Sequence, residues 1–68
     1  MEAANDNAVL VSLNDAARMT SLSRSMLNRY RAEGRFCAAV SLGERRIAFV
    51  KAEVQQWIES KIAARAAA

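Results

Sequence analysis

The chain has 68 residues, 53% of them hydrophobic, and carries ten Lys and Arg against seven Asp and Glu, a net charge of +3. That length admits one domain with a small core, and no apolar run approaches the roughly 20 residues of a membrane span. With no His, one Cys, scattered carboxylates and no Gly-rich phosphate loop, the composition argues against an enzyme, a cofactor, an intrachain disulfide and a metal site.

The first eleven residues lack the basic start and long apolar core of a secretory signal. Their Glu, Asn and Asp predict a disordered leader over residues 1–8. Val9 to Val11 is apolar enough for a short strand or a packing arm.

Two short helices joined by a tight turn follow between Ser12 and Gly34. Ser12 with Asp15 three residues on reads as a capping-box-like start, with Asp in place of the usual Glu or Gln. Ala16 and Ala17 are small enough to let another helix approach. Ser23 caps the second helix, and Leu22 before it is apolar and expected to be buried. Leu27 and Tyr30 mark its inward face. Arg24, Ser25, Asn28, Arg29 and Arg31 fall largely on its other faces. Gly34 ends it, where a residue free to take positive φ is wanted. A helix studded with Arg and Asn can sit in the major groove and read base edges. The plainer alternative is a helical hairpin with a solvated charged face.

The next segment reads as a β-hairpin. Ala39 to Leu42 and Ile47 to Val50 have apolar residues at alternate positions, so Val40, Leu42, Ile47 and Phe49 are expected on one face. Between them Gly43-Glu44-Arg45-Arg46 forms a short loop with Gly available for the turn. Arg45 and Arg46 at such a tip can reach phosphate or the minor groove. Taken alone, the loop is equally a solvated turn that happens to be basic.

Val54, Trp57, Ile58 and Ile62 follow i, i+3, i+4, i+8 spacing, which predicts an amphipathic helix from about Ala52. Glu53 near its start and Lys61 and Arg65 near its end suit the helix dipole. Trp57 reads as a core residue under the helix pair. The Ala-rich tail, residues 63–68, favours helix by propensity but has little to bury. Cys37 reads as a small, partly buried residue between Phe36 and the hairpin.

The charge is unevenly placed. Between Arg18 and Lys51 eight basic side chains face two acidic ones, a net of +6, while the rest of the chain carries two basic and five acidic groups. That is the footprint expected of a nucleic-acid face. The helix from Val54 to Ile62 is not basic enough to lie on a membrane surface.

In order along the chain, Leu13-Asn-Asp-Ala-Ala17, Leu22-Ser-Arg-Ser-Met-Leu-Asn-Arg29, Glu33-Gly-Arg-Phe36, Val40-Ser-Leu-Gly43, Arg46-Ile-Ala-Phe49 and Glu53-Val-Gln-Gln-Trp-Ile58 resemble the AlpA family of phage-type regulators. That family is related to the small excisionases and to the DNA-binding domain of MerR-type regulators. The resemblance runs from about Leu10 to Ile62. It implies a winged helix-turn-helix fold, mostly α with a two-stranded wing, over residues 9–62. It further implies DNA binding in mobile-element gene control or excision, in the bacterial cytoplasm and on the nucleoid. Ser23, Arg24 and Ser25 match the start of the family's recognition helix, Arg29 its usual Arg, Gly43 and Arg46 its wing, and Trp57 the Trp of the closing helix. Ser21 stands where Gly is usual, at a cost of up to about 1 kcal/mol if φ is positive there. Asn28 replaces an aromatic residue, Cys37 and Ala39 stand where Pro is common, and Phe49 replaces a Trp.

The expected roles divide by chemistry. Arg24, Ser25 and Asn28 are candidates for base edges, Asn suiting adenine and Arg guanine. Arg29, Arg31 and Lys51 are candidates for phosphate contacts, and Arg45 and Arg46 for wing contacts. So small a module covers little DNA, which favours several copies side by side on double-stranded DNA, from a protein that is monomeric or weakly associated when free. An integrase or RNA polymerase is the expected protein partner. A protein-interaction module that binds such a subunit without reading DNA is the competing interpretation.

Overall fold

In the computed structural model, which describes residues 9–67, the chain begins with a two-residue strand, β1 (Leu10–Val11), followed by helices α1 (Leu13–Thr20) and α2 (Arg24–Ala32). Strands β2 (Val40–Ser41) and β3 (Ile47–Val50) come next, and helix α3 (Lys51–Ala67) closes the chain. The expected leader, residues 1–8, lies outside the described residues.

Side chains at the helix ends explain the boundaries. Ser12 is extended and accepts a bond from the Asp15 N–H at 3.0 Å, which starts α1. Asp15 then pairs with Arg18 rather than reaching back to complete a box. Ser23 does the same for α2, accepting from the Met26 N–H at 3.1 Å. Between the helices Thr20 Oγ1 donates to the carbonyls of Ala16 and Ala17 and accepts from the Leu22 N–H. Ser21 takes the left-handed conformation, φ 64°, where its N–H bonds the Ala17 carbonyl.

Gly34 ends α2 at φ 72°. The N–H of Gly34 bonds the Arg31 carbonyl, and that of Arg35 reaches back to Tyr30 at 2.8 Å, the paired bonds of a Schellman stop. Gly43, by contrast, has no positive φ, so the hairpin loop makes no use of glycine's freedom there.

The three strands form an antiparallel sheet in the order β1-β3-β2. Leu10 lies opposite Val50 and Val11 opposite Phe49, while Val40 lies opposite Ala48 and Ser41 opposite Ile47. Directly opposed residues share a face of the sheet. Val40 therefore sides with Ala48, not with Ile47 and Phe49 as the alternation suggested. The Leu42 N–H bonds the Arg46 carbonyl at 2.8 Å, and this loop closure sets a register one residue away from the one that would align the four apolar side chains. Leu42 is left 53% exposed.

One fully buried side chain comes from each larger element: Ala16 from α1, Leu27 from α2, Phe49 from β3 and Val54 from α3. Burying Leu, Phe or Val contributes roughly 1.5–3 kcal/mol each. Ala16 is small enough for α1 to pack on α2, α3 and β3 at once. Leu13, Met19, Leu22, Phe36 and Ile58 are half-buried around this centre. The apolar stripe of α3 outruns the core, and Ile62 is 50% exposed.

The arrangement is a winged helix-turn-helix. Helices α1 and α2 with their hydrogen-bonded turn form the helix pair, α3 closes it, and β2 and β3 form the wing.

Candidate nucleic-acid interface

Helix α2 buries Leu27 and half-buries Met26, Tyr30 and Arg31, leaving Arg24, Ser25, Asn28 and Arg29 exposed. The exposed positions divide by direction. Arg24, Asn28 and Arg31 line an open groove together with Leu42, Arg45 and Arg46 of the wing. The β1–α1 junction, Leu10 to Leu13, with Ile47 and Ala48 completes its lining. Five of the nine residues singled out by sequence are thus brought to one concavity. All five carry polar side chains, and four are arginines.

Arg24, Arg45 and Arg46 form no ion pair with another described residue. Their charges stand exposed at the start of α2 and at the wing tip. Arg31 is held more firmly. Its guanidinium carbon lies 5.8 Å from the centre of the Phe49 ring, and Nη1 donates to Asn28 Oδ1 at 2.8 Å.

The other four residues lie elsewhere. Ser23 spends its hydroxyl lone pair on the cap of α2. Ser25 is exposed in the first turn of α2. Arg29 does not line the groove, and its Nε donates to Glu33 Oε2 at 3.3 Å. Glu33 also accepts from Arg35 Nη1 at 3.0 Å, so one carboxylate joins two arginines. Lys51 begins α3, and its N–H bonds the Val9 carbonyl at 2.7 Å. The four residues of β3 separate it from Arg46, five residue steps or about 17 Å of extended chain.

Two residues of this surface escaped sequence reasoning. Arg35 stacks its guanidinium 4.7 Å from the Tyr30 ring centre. Glu33 restrains Arg29 across an i, i+4 spacing, which is the sequence signal for this pair.

A second concavity adjoins the first, lined by Asn28, Arg31, Ala32 and the 34–39 loop. Cys37 lies here, partly buried. Burial pushes its thiol above the ordinary value; a hydrogen bond from its backbone opposes this, and the Glu53 carboxylate adds to the rise. The thiol is therefore a poor nucleophile. Among the described residues no three His, Cys, Asp or Glu side chains come together as a metal site would need, and no helix is long and apolar enough to cross a membrane.

The surface can therefore present donors and positive charge, from a helix and a hairpin at once, to a polyanion with acceptor-rich edges. A family model described as the prophage CP4-57 regulatory protein (AlpA) matches residues 9–62. No curated protein and no solved structure matches the chain.

Proposed function

The chain belongs to the AlpA family of prophage regulatory proteins, and from that membership we propose that it regulates a mobile element by sequence-specific binding to double-stranded DNA. The observation that carries the proposal is the groove that gathers Arg24, Asn28 and Arg31 of α2 with Arg45 and Arg46 of the wing. A helix about 10–12 Å across fits a major groove about 12 Å wide. With α2 seated there, Arg24, Ser25 and Asn28 face base edges. The wing arginines then meet the backbone or the adjoining minor groove. Arg29 and Lys51, on the flanks, serve phosphates beside the main contact, and Ser23 sets the start of the reading helix.

One copy covers only a short stretch of duplex, so adjacent copies bind together on repeated sites. Such an array serves either of two ends in the bacterial cytoplasm. It bends DNA for an integrase, as an excisionase does, or it controls access of RNA polymerase to a promoter.

Fluorescence-anisotropy titration tests the DNA proposal, using duplexes from the DNA flanking the protein's own gene and scrambled duplexes of equal length. The expected result is preference for the flanking duplex, with affinity falling steeply as salt rises. Absence of binding to either duplex, or binding indifferent to salt, overturns it. A neighbouring integrase gene and altered excision in a deletion strain would assign the excision role, while altered promoter activity alone would assign transcription control.

A further inference from the structure

Asn28 and Arg31 lie one helical turn apart on α2 and together wall both concavities, the groove toward the wing and the one toward the 34–39 loop. Arg31 Nη1 donates to Asn28 Oδ1 at 2.8 Å. The buried Phe49 ring lies beneath the guanidinium and holds it on this side of the helix.

A guanidinium has donors and no acceptor. The bond therefore assigns the Asn28 amide: Oδ1 turns to Arg31, and the Nδ2 hydrogens are left for whatever enters the groove. The pair is rich in donors, the Asn28 Nδ2 hydrogens and the remaining Arg31 N–H groups, and Arg31 already occupies one of the two lone pairs on the pair's single amide oxygen.

Purines differ on this point in the major groove. Guanine offers two acceptors, N7 and O6, whereas adenine offers the N7 acceptor beside an N6 amino donor. An adenine amino group would meet the hydrogens of Arg31; a guanine O6 would accept from them. An isolated Asn suits adenine, but this Asn is not isolated. Resting on the DNA-binding reading above, the geometry points to Arg31 as a positioning residue that makes Asn28 a reader of guanine rather than adenine.

Selection from a random-sequence duplex library tests this with the wild-type protein, Asn28→Ala and Arg31→Met, the last keeping an unbranched apolar stem against Phe49. The position read by Asn28 is the one whose preference Asn28→Ala erases. The wild type is expected to select guanine there, and Arg31→Met to shift that position toward adenine. Replacing that guanine by 2-aminopurine, which keeps N7 and lacks O6, should weaken wild-type binding by about 5- to 150-fold. Arg31→Leu replaces Arg31→Met in the selection if the latter fails to fold by circular dichroism. Adenine selected by the wild type, the same base selected by wild type and the Arg31 variant, or indifference to 2-aminopurine overturns the assignment while leaving DNA binding intact. A library that yields no enriched sequence overturns the DNA-binding reading and this assignment with it.

Discussion

Trp57 donates its indole N–H to the carbonyl of Arg35 at 2.9 Å, fastening the closing helix α3 to the segment that leaves α2. The ring also meets Phe36 edge-on at 5.0 Å and Tyr30 at 6.2 Å, with the Lys61 ammonium 5.2 Å from its centre. Phe36 in turn packs on the buried Phe49 at 5.3 Å. Trp57 is thus a half-buried clamp at the edge of the core rather than a residue inside it. Through Tyr30 and Arg35 the clamp ties α3 to the end of α2.

The energetic consequence is graded. Trp57→Phe keeps most ring contacts and loses the indole bond, at a cost of about 0.5–1.5 kcal/mol. Trp57→Ala removes the clamp and falls at the lower end of the roughly 3–5 kcal/mol seen for buried aromatic truncations. Phe49→Ala, at a fully buried site, falls at the upper end of that range. Urea unfolding followed by circular dichroism measures all three. Equal midpoints for Trp57→Ala and the unaltered protein would contradict the clamp.

Ser21 holds φ 64° at the end of α1, where its side chain makes no hydrogen bond to another described residue. Thr20, not Ser21, supplies the hydroxyl that ties the turn. Ser21→Gly should therefore stabilise the fold by about 0.5–1 kcal/mol, because glycine adopts this conformation without a Cβ penalty. In a domain of this size that raises Tm by roughly 4–8 °C per kcal/mol. A lowered Tm would mean that glycine's freedom in the unfolded chain outweighs the strain.

Local chemistry was legible in the sequence; register and reach were not. Ser12, Ser23 and Gly34 announced the helix ends because capping depends on neighbours three or four residues away. The wing's existence followed from two short apolar runs. Its register did not, because a slip of one residue exchanges the faces and only the Leu42–Arg46 bond decides which is adopted. Ile62 continued the apolar spacing of α3, yet nothing in a local pattern reveals where the core stops. Arg24, Asn28 and Arg31 shared a helix face by spacing. That this face opens toward Arg45 and Arg46 is tertiary, as is the placement of Lys51 at the far end of β3.

Cys37 provides a pH test. Its thiol lies above the ordinary value of 9.0, first because burial disfavours the thiolate and also because of Glu53, against the opposing backbone bond. A raised value in the folded state means that the native chain holds its proton more tightly than the unfolded chain. The associated stability is fully present below the unfolded thiol's range and is lost as pH rises through the folded value. Iodoacetamide labelling at pH 8 should be slower in native protein than in urea-unfolded protein, and Cys37→Ala should flatten the decline of stability above pH 9. Equal labelling rates in the two states would show that the thiol is not shielded.

The wing and the recognition helix should separate in their effects on binding. Arg46→Ala removes an exposed charge at the hairpin tip. It is expected to weaken flanking and scrambled duplexes alike and to lower the salt slope by about 1. Arg24→Ala should instead cost about 1–3 kcal/mol on the preferred duplex and far less on the scrambled one, if its guanidinium makes a bidentate base contact. Equal losses on both duplexes for Arg24→Ala would move it among the phosphate contacts.

Glu33 sets how much positive charge the far flank of α2 offers. Its carboxylate accepts from Arg29 at 3.3 Å and from Arg35 at 3.0 Å, and all three side chains are substantially solvent-exposed. Exposed pairs of this kind contribute only about 0.3–0.5 kcal/mol to stability, so Glu33→Gln should leave the fold nearly unchanged. It also removes one negative charge from the most basic part of the chain and releases two guanidiniums. If Arg29 then reaches a phosphate, affinity for duplexes of any sequence rises and the salt slope steepens by about 1. Selectivity for the preferred site narrows, because the gain is shared by every sequence. Anisotropy titrations of Glu33→Gln at several salt concentrations, on preferred and scrambled duplexes, measure both effects. A variant with unchanged slope and unchanged selectivity would place Arg29 and Arg35 away from DNA and confine the interface to the groove between α2 and the wing.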